Sequence, residues 1–324
     1  MKSFESFLSG PMEAFIAYRE QLGYSTKTIR TLLLVLDRYI VRQPDQNTVW
    51  QPMFYLKLRK ELDQAPSSIN LVLYAARCFF EYLKRTRQCQ TNPVQDVPPL
   101  PTQAFIPFVF SSEQTNQLLD VVCKQIRKDR RYFLKDLSEY LVILLLARCG
   151  LRINEPLRLK LEHYRPEERT IYIEKTKFKK DRLIPIPKLA AEQIDNYLSV
   201  RKAIAQSHPG TFLLISNRQE KLNDQRIRYL FHKARKRIGI DRPRQAIGRT
   251  IFGQPRPHSL RHSFAIDTLR SAVARGQSAQ NVLPVLAAYL GHVEYRHTMK
   301  YLKVIDAESG NRLLNFAGTQ REDP

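Results

Sequence analysis

Cysteine is scarce in this chain of 324 residues. Cys78, Cys89, Cys123 and Cys149 are the only four, none in Cys-x-x-Cys spacing and most within apolar helical patterns. That sets aside a disulfide scaffold or a cysteine-rich zinc module and leaves reduced core thiols, as in a cytosolic protein. Long hydrophobic runs are missing too. No stretch approaches the roughly 20 apolar residues that span a bilayer, and Met1-Lys2-Ser3-Phe4-Glu5 lacks the apolar segment of a secretory signal. A soluble intracellular protein without membrane partners is expected. Carboxylates are in deficit, 31 Asp plus Glu against 53 Lys plus Arg. They form no cluster that would hold two magnesium ions, so neither a metal nor another cofactor is expected. Internal repeats and low-complexity tracts are absent as well.

What the chain does have is positive charge, +22 in all. An excess of that size repels itself in the folded state and points to a polyanionic partner, here nucleic acid. Residues 1–106 carry 13 basic and 9 acidic side chains, so about +18 falls to the remainder, where most phosphate contacts are expected. The apolar fraction of 43% and aromatic fraction of 10% are those of a globular protein, and the length suits two domains.

The first 92 residues read as a helical bundle. Met12 to Leu22 form a short amphipathic helix ended by Gly23, and Ser25 suits an N-cap. Ile29, Leu32, Leu33, Leu36, Tyr39 and Ile40 then share one face of a 3.6-residue period. A third helix is expected at about 50–62. A fourth, after Pro66, turns Ile69, Val72, Leu73, Ala76, Phe80 and Leu83 inward and Arg77, Lys84, Arg85 and Arg87 outward. Residues 93–110 hold Pro93, Pro98, Pro99, Pro101 and Pro107 without helical period, an extended linker between domains. From 111 to 324 a second domain is expected. Ser111 or Ser112 caps its first helix, and Leu137 to Ala147 is nearly all apolar, a buried helix. Asn154 caps a further helix with Pro156 in its first turn. Residues 170–174 and 182–186 form a hairpin with the lysine-rich tip Lys175 to Asp181. Helices follow at about 188–206 and 223–238, then a Pro/Gly/Arg-rich loop at 241–257, a helix from His258 and another at 281–290. The fold class is mostly α with a small β-sheet, α+β.

Breaking a phosphodiester without metal needs a nucleophile, an acceptor for its proton, cations for the non-bridging oxygens and an acid for the leaving oxygen. The chain offers Arg, Lys, His and Tyr in a fixed order. Gly150-Leu151-Arg152 is followed by Glu155. Thr176-Lys177-Phe178-Lys179-Lys180-Asp181-Arg182 lies in the hairpin. His258-Ser259-Leu260-Arg261-His262, then Leu290-Gly291-His292, then Tyr301 complete the set. His258 and His262 at i, i+4 also suit zinc, but no third ligand has sensible spacing.

In this order the motifs resemble those of the tyrosine recombinases (phage integrase family), over about residues 107–305. Thr176 and Phe178 stand where that family usually has glycines. The bundle before them resembles, in pattern alone, the family's SAM-like core-binding domain. The resemblance implies that Tyr301 attacks the scissile phosphate to give a 3′-phosphotyrosyl ester. It implies that Arg152 and Arg261 hold the phosphate, His258 accepts the tyrosine proton, Lys177 protonates the leaving 5′-oxygen and His292 bonds a non-bridging oxygen. Glu155 and His262 would orient these groups. Arg77, Lys84, Lys179, Lys180, Arg235 and Lys236 are candidates for DNA backbone contacts. The partner implied is double-stranded DNA, with four protomers on two sites joined through a Holliday junction. Other recombinases of the same transposable element are further candidate partners, and the tail from Ala307 to Phe316 would dock on a neighbouring protomer. The place of action would be the cytoplasm, at the nucleoid. A type IB topoisomerase, which shares the Arg, Lys and Tyr chemistry, and a catalytically silent DNA-binding subunit remain as alternatives.

Overall fold

A computed structural model describes residues 3–174, 181–204, 210–217, 220–248, 250–292 and 298–302. Lys177, Lys179, Lys180, Tyr295 and the tail from 303 onward lie outside the described residues. The chain divides into two compact units, Met1–Ala104 and Phe105–Pro324.

In the first unit α1 (Ser9–Gln21), α2 (Lys27–Val41), α3 (Pro52–Glu61) and α4 (Pro66–Arg85) enclose one core, with a 3-10 turn at Gln46–Trp50. The inward stripe of α2, Leu33, Leu36 and Ile40, meets Val72, Ala76, Phe79 and Phe80 of α4. Asp37 is 1% exposed yet lies in that stripe. Its carboxylate accepts from the backbone N–H of Glu5 at 2.8 Å and of Ser6 at 3.0 Å, which pins the leading segment to the bundle.

The proline-rich stretch is not extended throughout. Val94 and Val97 are buried in the bundle core. Asn70 exchanges two hydrogen bonds with Leu100, at 2.9 and 2.7 Å. Arg77 donates to the carbonyls of Val94 and Val97 at 3.2 and 3.1 Å. Proline removes N–H donors, so the backbone carbonyls here take side-chain donors instead. The unit boundary consequently falls at Ala104, within the expected linker of 93–110.

The second unit is built around α6 (Arg130–Arg148). Its run Leu141 to Ala147 is buried on every side because α5 (Ser112–Cys123), α7 (Lys188–Ile204), α8 (Asp224–Arg237) and α9 (Pro257–Ala274) all pack on it. Ser111 and Gln114 close a capping box at the start of α5. β1 (Ala104–Ile106), β5 (Gln245–Ile247) and β6 (Thr250–Phe252) form one small sheet in the order β1-β6-β5. The other sheet holds β2 (Tyr164–Arg165), β3 (Thr170–Ile173) and β4 (Arg182–Pro185), antiparallel, with Ile173 opposite Arg182. α10 (Ala279–Leu290) lies on α9, and Ile266, Leu269, Leu283, Leu286 and Leu290 form a second core that also takes in Tyr301.

Three further sequence expectations need correction. The cap position of α2 is Thr26 and not Ser25, and no side chain caps it. Residues 241–257 contain the β5–β6 hairpin rather than loop alone. Its strands are three residues long and β5 is exposed throughout, so no alternation marked it. After Arg152 the chain makes only a 3-10 turn, Pro156–Arg158, with Glu155 and not Asn154 at its cap position. The Glu155 carboxylate bonds side chains across the site and leaves the turn without a side-chain cap.

Candidate active site

Two turns place the site. Gly150 follows the buried helix α6 at φ +58°, and a side chain there would collide with the ring of Phe264. Gly291 ends α10 at φ +66°. Its N–H donates to Ala288 O and that of His292 to Ala287 O, both at 3.0 Å, a Schellman closure. This leaves the carbonyls of Gly150, Leu290 and Gly291 facing inward, and the two motif arginines bind them. Arg261 donates to Gly150 O at 2.9 Å and to Leu290 O. Arg152 donates to Gly291 O at 3.0 Å. Residues 139 positions apart in the chain are thereby joined by single side chains.

Glu155 organises the cations. It accepts from the Arg152 backbone N–H at 2.8 Å and from Arg152 Nη1 at 3.0 Å. It also takes a bidentate pair from Arg182, at 3.1 and 3.0 Å. Burial works against its charge and is the largest single influence, but Arg182, the Arg152 N–H and Arg261 together outweigh it and hold the carboxyl below its ordinary range. Arg182 further donates Nε–H to Tyr289 O at 2.7 Å. A side chain at Gly291 would sit 3.1 Å from its Nη1. Arg182 was quoted in the hairpin motif but given no role. Its signal was register: it shares the inward face of β4 with Ile184, where a cation requires partners.

One carboxylate therefore serves several guanidiniums. Arg261 is 1% exposed, and burial and then Arg152 press against its charge. An anion between Arg152 and Arg261 relieves both, and a phosphodiester matches their fork geometry.

His258, Arg261 and His262 lie on one face of α9, since Pro257 opens the helix and the spacing is i, i+3, i+4. The His258 and His262 rings meet edge to face at 4.7 Å. Desolvation, then Arg261 and Arg152, push His258 down to about 4. His292 Nδ1 lies 2.8 Å from the hydroxyl of Thr298, which is wholly buried. Thr298 lies in the helical turn that carries Tyr301, so it ties the histidine to the segment of Tyr301. Tyr301 is 3% exposed, and burial raises its pKa while Arg261 and Arg152 lower it in part. Its hydroxyl lies 2.9 Å from Nδ1 of His262. The resemblance implies His258 as the proton acceptor, whereas the side chain at the hydroxyl is His262, expected as an orienting group.

Arg152, Glu155, His258, Arg261, His262, His292 and Tyr301 are thus brought together by contacts with one another and with the same turns. The candidate backbone contacts divide. Arg77 is occupied by the carbonyls of Val94 and Val97. Arg235 is occupied by Pro255 O at 2.7 Å and by Asp241 at 2.7 Å. Each spends part of its five donors on the chain's own backbone. Lys84 and Lys236 are exposed, Lys236 with Asp241 at 4.0 Å.

Among the described residues no three His, Cys, Asp or Glu side chains form a group able to hold a metal ion, and no helix is long and apolar enough to cross a membrane. The model of the phage integrase family matches residues 109–308. A tyrosine recombinase XerA of Thermococcus kodakarensis is 28% identical over 296 residues, 90% of either chain. Among solved structures, XerH recombinase bound to a palindromic difH substrate has a TM-score of 0.64 at 17% identity, covering 88% of this chain and 79% of that one. A lambda integrase tetramer bound to a Holliday junction has a TM-score of 0.61 at 16% identity, covering 90% and 78%. With a family model spanning well over half of its length, the chain belongs to the phage integrase family, the site-specific tyrosine recombinases.

Proposed function

We propose that this recombinase cuts and rejoins two DNA sites through a 3′-phosphotyrosyl intermediate and a Holliday junction, with no metal or nucleotide cofactor. The observation that carries the reading is a buried tyrosine hydroxyl beside two guanidiniums: Arg152, which shares Glu155 with Arg182, and Arg261, which is bonded to backbone carbonyls. Arg152 and Arg261 hold the non-bridging oxygens, and His292 adds a third donor. The oxygen of Tyr301 bonds to phosphorus while an imidazole of the His258–His262 pair takes its proton. The P–O5′ bond breaks, and Lys177 gives a proton to the leaving 5′-oxygen. The ester conserves the bond energy, so a 5′-hydroxyl from a second strand can reverse the step without ATP. Four copies on two sites would complete the exchange, as in the lambda integrase tetramer on its junction. The tail from 307 to 316 would dock on a neighbouring protomer, other recombinases of a mobile element would be partners, and the nucleoid would be the place of action.

The test is covalent capture. Wild-type protein incubated with a pool of nicked, random-sequence suicide duplexes should yield a protein–DNA adduct enriched for one sequence. Tyr301→Phe should yield none. An adduct that survives Tyr301→Phe removes the nucleophile assignment. Relaxation of any supercoiled plasmid without sequence enrichment favours the topoisomerase alternative.

A further inference from the structure

The hydroxyl of a buried tyrosine needs an acceptor, because an unmet donor away from water costs about 1–3 kcal/mol. Around Tyr301 the charged groups that act on it are Arg261 and Arg152, which carry donors only. Nδ1 of His262, at 2.9 Å, accepts in one of the two neutral tautomers, and the hydroxyl's need of an acceptor selects that one. A neutral imidazole has one N–H and one lone-pair nitrogen, so this contact assigns the lone pair to Nδ1 and the proton to Nε2. The neutral form follows from the surroundings. Desolvation comes first, then His258, Lys300, Arg261 and His292, and together they push His262 down to about 3. Arg244 and Arg256 line the same hollow as His258 and His262.

We infer that His262, rather than His258, is the catalytic residue that receives the Tyr301 proton during strand cleavage and returns it on rejoining. The inference rests on the proposed strand-transfer chemistry and names its proton acceptor. Without DNA the surrounding cations make His262 a poor base, and Tyr301 keeps its proton. A phosphodiester seated between Arg152 and Arg261 brings negative charge to that set, which favours the imidazolium. Proton uptake at Nδ1 is thereby linked to substrate binding. In the step itself the Tyr301 oxygen forms its bond to phosphorus and its proton moves to Nδ1. The P–O5′ bond breaks with its electron pair on the 5′-oxygen, which the acid protonates. Rejoining runs each transfer backwards. His258 is the more exposed of the pair.

The experiment uses the full chain and the duplex captured by covalent selection. Single-turnover cleavage is followed against pH for the wild type, His262→Asn, His262→Phe and His258→Asn, with DNA affinity and thermal midpoint measured for each. Asn can keep a hydrogen bond to the tyrosine but cannot take its proton. Both His262 variants should bind the duplex like wild type and cleave it roughly 100- to 10,000-fold more slowly, the range of general base catalysis. Their rate should also lose the acid limb seen for wild type. A 5′-phosphorothiolate duplex, whose leaving group needs no acid, should not rescue them. In DNA-free wild-type protein, 15N spectra should show Nδ1 of His262 unprotonated, a readout independent of any variant's folding. The inference fails if His262→Asn cleaves at the wild-type rate with the wild-type pH profile, or if Nδ1 carries the proton. If wild type captures no duplex at all, the strand-transfer reading fails and this one with it.

Discussion

Both units bury charge, but they treat it differently. In the helical bundle Asp37 receives two backbone N–H groups, and Arg77 gives its donors to two carbonyls. Asp37 is a lone buried charge and Arg77 a half-buried one, each bonded to backbone dipoles, and both hold chain segments in place. In the second unit Arg152 and Arg182 both bind one carboxylate, while Arg261 is buried against neutral carbonyls. That surplus of positive charge is a standing cost to the fold unless an anion arrives. A single charge bonded to backbone serves architecture, and under the proposed mechanism a cluster of cations beside Tyr301 serves a phosphate.

The largest expected effect comes from removing a phosphate-holding cation. Arg261→Ala should slow single-turnover cleavage by roughly 100- to 1,000-fold, the usual loss for one transition-state donor, with a far smaller change in duplex affinity. Equal losses in rate and affinity would make Arg261 a structural group like Arg77. Next is Arg182, which holds the shared carboxylate. Arg182→Gln should destabilise the second unit by roughly 1–3 kcal/mol in chemical denaturation, because Glu155 loses its bidentate partner and keeps only the Arg152 bonds. It should also slow cleavage, since Glu155 is then free to draw Arg152 from the phosphate. Glu155→Gln in the same chain should recover part of both losses, a coupling a double-mutant cycle reads directly. Additive losses would mean that the two residues act separately.

A smaller effect is expected with pH. His258 and His262 have folded-state pKa values pushed down to about 4 and about 3. The unfolded chain therefore binds more protons between those values and the ordinary histidine value of about 6.5. Their contribution to stability is intact above about 6.5 and is lost progressively as pH falls toward 3. The thermal midpoint of the second unit should drop over that window, and less so in a His258→Asn, His262→Asn double variant. An unchanged slope would mean that the histidines are not held neutral. The smallest effect belongs to the bundle. Asp37→Ala should cost about 1–3 kcal/mol from two unmet N–H groups and leave cleavage by bound protein unchanged.

What was legible in the sequence follows the same division. The bundle helices were visible because Leu33, Leu36 and Ile40 repeat at helical period, and the buried helix because Leu141 to Ala147 is apolar without interruption. The site residues were visible because Gly-x-Arg, His-x-x-Arg-His, Leu-Gly-His and the later tyrosine stand in an ordered series. Three things were not. The β5–β6 hairpin hides in exposed three-residue strands. Arg77 and Arg235 look like any outward helix arginine until the carbonyls they bind are seen. The choice between His258 and His262 depends on which ring nitrogen reaches the tyrosine, and residues one helical turn apart carry no such information in sequence.

The central claim is that Tyr301 becomes covalently joined to DNA. Adduct from the captured suicide duplex, trimmed with nuclease and digested with protease, should give one modified peptide in mass spectrometry, with a nucleotide 3′-phosphate on Tyr301. A nucleotide on Tyr295, on Tyr289 or on any residue other than Tyr301 would contradict the account.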